Sequence, residues 1–332
     1  LRMINMQNLE QILSNVKQNT QSICISPCNR DIIKDNAYLF DINVTYICNM
    51  YCSYCYNRDI LKDNRMLSFS VFKKIVDNIA NVIHNEPIVL HILGGEPFLD
   101  PDLYKMIKYV LNDANLNLYK IKIFTNGTCI PENIKDFLND PRFELDIAFH
   151  AEQISYTEFI DNLKYYIINK DYHNNIHIYV YLEKDYLNDI NSILNYLITE
   201  VKHPNILLND LQPSQVSKDV YLDFIRKWRL DNKRSILNLK IDNDIYKLYI
   251  SDVFPNMFTG LTCMYKKNVF VIEPNGHIYP ACGEASRTYY AYIENHIKQC
   301  IGEMNNVICN RPQCTCIDSF EYSKYNRMSR LV

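Results

Sequence analysis

Between residues 38 and 230 the apolar positions switch repeatedly between two periods. Tyr38–Tyr46 (Y-L-F-D-I-N-V-T-Y) is rich in β-formers. Ser70–His84 then carries apolar residues at helical spacing behind a serine able to cap it. Ile88–Leu93 reads as a strand, followed by a helix over Pro101–Asn112 with proline in its first turn. Leu118–Thr125 alternates and leads to a short helix from Pro131. Glu144–His150, Ile176–Leu182 and Ile206–Leu211 supply three more strands, trailed by helical stretches at Ser155–Asn169, Asp185–Glu200 and Val216–Arg229. These six strand-then-helix units predict an α/β fold with a parallel sheet, either doubly wound or a curved, incomplete barrel. In both, chemistry belongs at the C-terminal strand ends.

Past residue 231 the pattern changes. Asn268–Glu273 and His277–Tyr279 flank Pro274-Asn275-Gly276, a hairpin signal, and Cys263 and Cys282 bracket it. The cysteines that follow lie on loop-like sequence with little core of its own. A small appended domain held by metal rather than apolar burial is the physical expectation.

Composition narrows the class. The chain has 332 residues, 48% apolar and 22% charged, with a formal net charge of -3. It is long enough for one large domain or two unequal ones and shows no block of like charge. Nothing in it points to nucleic acid or a membrane surface, and no segment reads as a secretory or membrane-spanning sequence, so a cytoplasmic protein is expected. Twelve cysteines in such a compartment are thiols or metal ligands rather than a disulfide framework. They fall into two groups. Cys48, Cys52 and Cys55 crowd into eight residues, and Cys263, Cys282, Cys300, Cys309, Cys314 and Cys316 close the chain. Cys24 and Cys28 (C-I-S-P-C) offer a weak metal site, and Cys129 reads as a buried thiol.

The candidate chemistry sits at the predicted strand ends. The triplet C-N-M-Y-C-S-Y-C follows the first strand, Gly94-Gly95-Glu96-Pro97 the second, Thr125-Asn126-Gly127-Thr128 the third, and His150-Ala151-Glu152-Gln153 the fourth. The C-x3-C-x2-C spacing, with Tyr54 before the last cysteine, resembles the cluster-binding loop of the radical S-adenosylmethionine (radical SAM) superfamily. That resemblance implies a partial (β/α)6 TIM-like barrel over residues 38–230. It also implies a 4Fe–4S cluster held by Cys48, Cys52 and Cys55, whose fourth iron takes S-adenosyl-L-methionine. Tyr54, Gly94, Gly95, Glu96, Pro97, Thr125 and Asn126 would bind the cofactor; the glycines would let backbone approach it closely. His150 and Glu152 stand where many relatives carry a Ser-x-Asp-Gly-like sequence, and are candidates for a catalytic role. A structural zinc knuckle is the alternative for the triplet. His91, inside a strand, reads as a satisfied core histidine.

The stretch from Cys263 to Cys282 resembles the opening of the SPASM and twitch auxiliary-cluster domains, although the finish C-N-R-P-Q-C-T-C departs from the full SPASM pattern. The implied organisation is an N-terminal extension (1–37), the barrel (38–230), a connecting region (231–262) and an auxiliary-cluster domain (263–332). One auxiliary 4Fe–4S cluster would take Cys263, Cys282, Cys314 and Cys316, with Cys309 a close rival; four thiolates also suit zinc. The activity implied is radical oxidation or cross-linking of a peptide, as in maturases of ribosomally made peptides. Modification of a small polar metabolite such as an aminosugar or aminocyclitol is the second reading. A non-catalytic electron-transfer or zinc-stabilised interaction protein is the third. The enzyme readings imply a reductant such as flavodoxin or ferredoxin. The segment before the first strand is too short for the winged-helix domain that many peptide-modifying relatives carry, so a separate recognition protein or a small-molecule substrate could take its place.

Overall fold

A computed structural model describes residues 23–27, 37–55, 57, 63–182, 184–202, 205–210, 236–241, 244–250, 262–263, 269–280, 290–292 and 307–308. Its strands are β1 (Ile23–Pro27), β2 (Tyr38–Thr45), β3 (Ile88–Gly94), β4 (Leu118–Thr125), β5 (Phe143–Phe149), β6 (Ile176–Leu182) and β7 (Asn205–Asp210). Then come β8 (Ile236–Ile241), β9 (Asp244–Ile250), β10 (Thr262–Cys263), β11 (Val269–Ile272), β12 (His277–Pro280), β13 (Tyr290–Tyr292) and β14 (Val307–Ile308). Helices α1 (Phe69–Val82), α2 (Leu103–Asn112), α3 (Tyr156–Ile168) and α4 (Leu187–Asn195) lie between the early strands.

One open sheet runs β1-β8-β9-β7-β6-β5-β4-β3-β2-β11-β12-β13, while β10 and β14 pair by themselves. The eight strands from β9 to β11 in that order are mutually parallel. This is the incomplete barrel the alternation predicts, extended at both edges. Strands β8 and β9 fall in the stretch read as a connecting region, and β1 in the N-terminal extension pairs antiparallel with β8. The hairpin forms around Gly276, whose φ of +80° suits glycine, and its first strand pairs parallel with β2.

Local chemistry accounts for the helices. The Ser68 hydroxyl caps α1 by accepting from the Val71 amide, two residues before the predicted start. Ser155 caps α3 in the same way through Glu158. The residues after Pro131 form only a short 3-10 turn, Glu132–Asp136, in which Ile134 is buried. The predicted helix at 185–200 divides into α4 and a wider-wound turn, Tyr196–Val201, closed by left-handed Lys202. The predicted helix at 216–229 lies outside the described residues.

Strand register separates two chemistries. Phe40, Ile42, Ile92, Ile123, Leu145 and Ile176 share one face and are fully buried with the inner faces of α1 to α3, such as Phe72, Ile79, Met106 and Phe159. Each such side chain contributes about 1.5–3 kcal/mol. The opposite face carries Asp41, His91, Lys122 and Glu144 in one row and Phe124, Asp146 and His177 in the next. The sheet therefore has an apolar side sealed by helices and a polar inner side, with the loops after β2 to β5 at one rim.

Candidate metal centre

The chain leaves β2 at Thr45 and enters the cysteine loop. Cys52 is buried, Cys48 and Cys55 half-buried, and all three are free thiols. Burial pushes the Cys52 thiol up to about 12, with the nearby charges of Cys48, Cys55 and Glu152 adding to it against a hydrogen bond from Tyr54. Cys48 is raised for the same first reason. A bound cation would favour the ionised form of these sulfurs.

Among the described residues, the metal-ligating side chains whose donor atoms all lie within 4.8 Å of one another are Glu144, Asp146 and His177. Three thiols in one loop suit an iron–sulfur cluster with one open position, or a zinc ion that takes a fourth ligand from elsewhere.

The neighbouring strand ends brace this loop. Gly94 and Gly95 let β3 run against it: a Cβ on Gly94 would stand 2.3 Å from the Thr45 carbonyl oxygen and one on Gly95 2.2 Å from that of Ile47. The Gly95 amide donates to Thr45 and the Glu96 amide to Ile47, each at 2.8 Å. The close approach these glycines permit is thus to the loop's own backbone. Glu96 is fully buried and its carboxylate accepts from the Phe98 amide (3.1 Å), the Thr125 hydroxyl (2.8 Å) and the Asn126 amide (2.7 Å). Burial still outweighs these donors and raises its pKa. Glu96 ties the end of β3 to the end of β4, and Pro97 opens the turn that follows. From β4, the Asn126 amide group donates to Asn49 Oδ1 at 2.8 Å and reaches Cys48 Sγ at 4.0 Å, where the Met50 amide also points at 3.4 Å. Asn49 in turn donates to Thr128 at 2.7 Å.

Residues after β5 hold the other flank. The Tyr54 hydroxyl and His150 Nδ1 are 2.9 Å apart, and Tyr181 stacks on the His150 ring at 5.0 Å. Burial of the imidazole lowers its pKa to about 4, so it is neutral near pH 7. Glu152 and Gln153 bond to loop backbone at Ser53 and Tyr51. The structure therefore brings the triplet, G-G-E-P, T-N-G-T and H-A-E-Q together at one rim. Cys129 belongs to the same neighbourhood; burial raises its thiol to about 11, with charges at Glu96 and Cys48 adding. Cys263 lies in β10 opposite Val307, whereas Cys28, Cys282, Cys300, Cys309, Cys314 and Cys316 fall outside the described residues. Cys24 lies in β1 opposite Lys240.

Below the rim, the inner face carries a charged layer that the sequence reading missed. Lys120 and Lys122 reach Glu144 at 2.5 and 2.8 Å, His177 Nδ1 meets Asp146 at 2.8 Å, and the Tyr179 hydroxyl donates to Asp146 at 3.0 Å. Burial pushes Glu144 up, but the charges of Lys122, His177 and Lys120 outweigh it and hold the carboxyl at about 2. Both ammonium groups pair with Glu144, one of the three clustered ligand-type residues. His91 is buried inside β3, where its Nδ1 lies 3.0 Å from Asp41. The available signal was polar residues at every second position in E-L-D-I-A-F-H and I-H-I-Y-V-Y-L.

Fold and rim together define an incomplete parallel barrel that presents a three-thiol loop at the C-terminal ends of its strands. Residues 42–197, just under half of the chain, match the family described as the Radical SAM superfamily. The chain is 23% identical over 112 residues to the antilisterial bacteriocin subtilosin biosynthesis protein AlbA of Bacillus subtilis, covering 34% of this chain but only 23% of AlbA. It is 24% identical over 195 residues to 7-carboxy-7-deazaguanine synthase of Clostridium acetobutylicum, 58% of this chain and 80% of the synthase. In fold it is similar to anSMEcpe solved with bound AdoMet and the Kp18Cys peptide, with TM-score 0.56, 16% identity and 81% of each chain covered. Among the described residues no helix is long and apolar enough to cross a membrane.

Proposed function

We propose that this protein is a radical SAM enzyme that modifies a peptide by oxidation or cross-linking. The observation that carries this is the loop of Cys48, Cys52 and Cys55, braced by G-G-E-P and T-N-G-T at the rim of a parallel barrel within the stretch that matches the Radical SAM superfamily. When bound, a 4Fe–4S cluster and S-adenosyl-L-methionine supply a 5′-deoxyadenosyl radical able to take hydrogen from an unactivated carbon. The three thiols would hold the cluster. Glu96 fixes the strand ends that shape the rim, and Asn126 points its amide at Cys48. Tyr54, held by His150, lines the rim beside Cys55 together with Gly94, Gly95, Pro97 and Thr125.

The peptide reading draws on AlbA and on the peptide-bound anSMEcpe structure. The synthase match favours a second reading, a small polar substrate. In the C-terminal third, Cys263, Cys282, Cys314 and Cys316 are the proposed ligands of an auxiliary 4Fe–4S cluster. Cys309 competes, since it directly follows β14, whose Val307 pairs with Cys263. A flavodoxin or ferredoxin would supply electrons, and a separate recognition protein would deliver a peptide.

Anaerobic reconstitution tests the proposal. It should give about eight irons per chain and 5′-deoxyadenosine under dithionite, both cofactor cleavage and the active-site iron being lost in Cys52→Ala. About four irons would remove the auxiliary cluster. Zinc without iron would sink the enzyme reading, and a changed small molecule with every co-expressed peptide untouched would select the second one.

A further inference from the structure

Two side chains at the end of β5 touch the cysteine loop without belonging to its ligand set. The Glu152 carboxylate accepts from the Ser53 amide at 2.8 Å, and Ser53 lies between Cys52 and Cys55. Gln153 makes a two-way contact with Tyr51, its Oε1 accepting from the Tyr51 amide at 3.0 Å and its Nε2 donating to the Tyr51 carbonyl at 3.3 Å. The pair is itself anchored. The amides of Gln153 and Ile154 donate to the His150 carbonyl at 2.9 and 3.1 Å, making a tight turn directly ahead of α3.

We infer that Glu152 and Gln153 are positioning residues for the metal centre, bracing the loop backbone between the cysteines and placing one fixed negative charge beside it. This inference rests on the reading of the three thiols as a cluster site.

The chemistry follows from the contacts. Inside the loop, the Cys55 amide donates to the Cys52 carbonyl at 3.2 Å and the Met50 amide to Cys48 Sγ at 3.4 Å. Partners outside the loop add to these bonds. Asn126 and Asn49 fix the Cys48 end, and Glu152 with Gln153 fix the stretch from Tyr51 to Ser53. The carboxylate also brings its charge beside the loop, through its contact with the Ser53 amide. Reduction of an iron–sulfur cluster adds negative charge, so a neighbouring carboxylate makes the potential more negative. Because Glu152 is only half-buried, the effect is largest at low ionic strength.

Two substitutions separate brace from charge. Glu152→Gln keeps an oxygen acceptor for Ser53 but removes the charge, whereas Glu152→Ala removes both. In apo-protein, hydrogen exchange at Ser53 should quicken roughly fivefold in Glu152→Ala and stay near wild type in Glu152→Gln. Gln153→Ala should do the same at Tyr51. After reconstitution, EPR-monitored titration at low salt should give Glu152→Gln wild-type iron content and a less negative cluster potential. Unchanged exchange in both alanine variants would overturn the brace, and an unshifted potential in Glu152→Gln would overturn the charge effect. Wild-type protein that takes up no iron would overturn the cluster reading instead, while exchange at Ser53 would still decide the brace.

Discussion

Gly95 shows how a single missing methyl group can hold a site together. Its absent Cβ is the space through which the Ile47 carbonyl passes, and that carbonyl accepts from the Glu96 amide. Neither obstacle is a flexible side-chain tip, so an added methyl has nowhere to go. Gly95→Ala should destabilise the apo-protein by about 1–3 kcal/mol, read from urea unfolding, and lower iron retention after reconstitution. Equal stability would mean the loop can shift without penalty. Glu96 works differently: three buried donors converge on one carboxylate. Removing it would strand all of them, and the penalty for each stranded group is about 1–3 kcal/mol. Glu96→Ala is therefore expected to be more damaging than Gly95→Ala in the same assay.

At the scale of elements, the strand-helix alternation was legible because both signals are local. The strands β2 to β7 carry apolar residues on the helix side at every second position, and α1 and α3 sit behind serine caps. Ser155→Ala should lower stability by about 1 kcal/mol or less, given the long 3.3 Å contact, without altering iron binding. A melting point unchanged within error would mean that Ser155 contributes no capping. The rim loops were legible too, since cysteine spacing and glycine pairs are contiguous in sequence. Other features depend on partners far along the chain. Strand β1 forms opposite β8, more than two hundred residues away, and C-I-S-P-C gave no hint of that pairing. The charged layer exists only when β4, β5 and β6 lie side by side in register, placing Lys122 beside Glu144 and Asp146 beside His177. No single segment reveals it. The short helix after Pro131 forms as a 3-10 turn, with Ile134, Phe137 and Leu138 buried.

For the molecule as a whole, buried carboxyls set opposing responses to acid. Glu144 is held at about 2, below its ordinary 4.5, so the stability it contributes is present above that ordinary value and lost as pH falls towards 2. The contribution is at most about 3 kcal/mol. Asp100 is raised by burial to about 6, so folding favours its protonated form, and stability declines as pH rises from 3.8 to about 6. Glu96 shifts in the same direction. Thermal melts of the apo-protein should therefore show stability rising as pH drops from about 6 to 4.5, the two effects offsetting each other between 4.5 and 3.8, and stability falling below that. Asp100→Asn should flatten the upper limb and leave the lower one. A monotonic fall from pH 7 in wild type would show that Glu144 is not opposed in this way.

The pairing of β11 with β2 joins Val269 to Leu39 across 230 positions of chain. During synthesis, the strand that delivers the cysteine loop keeps a bare flank until residues near 270 have left the ribosome. Sheet completion therefore lags behind the cysteine loop: a chain arrested earlier would offer unpaired backbone beside its thiols, an exposure that emergence of the hairpin ends.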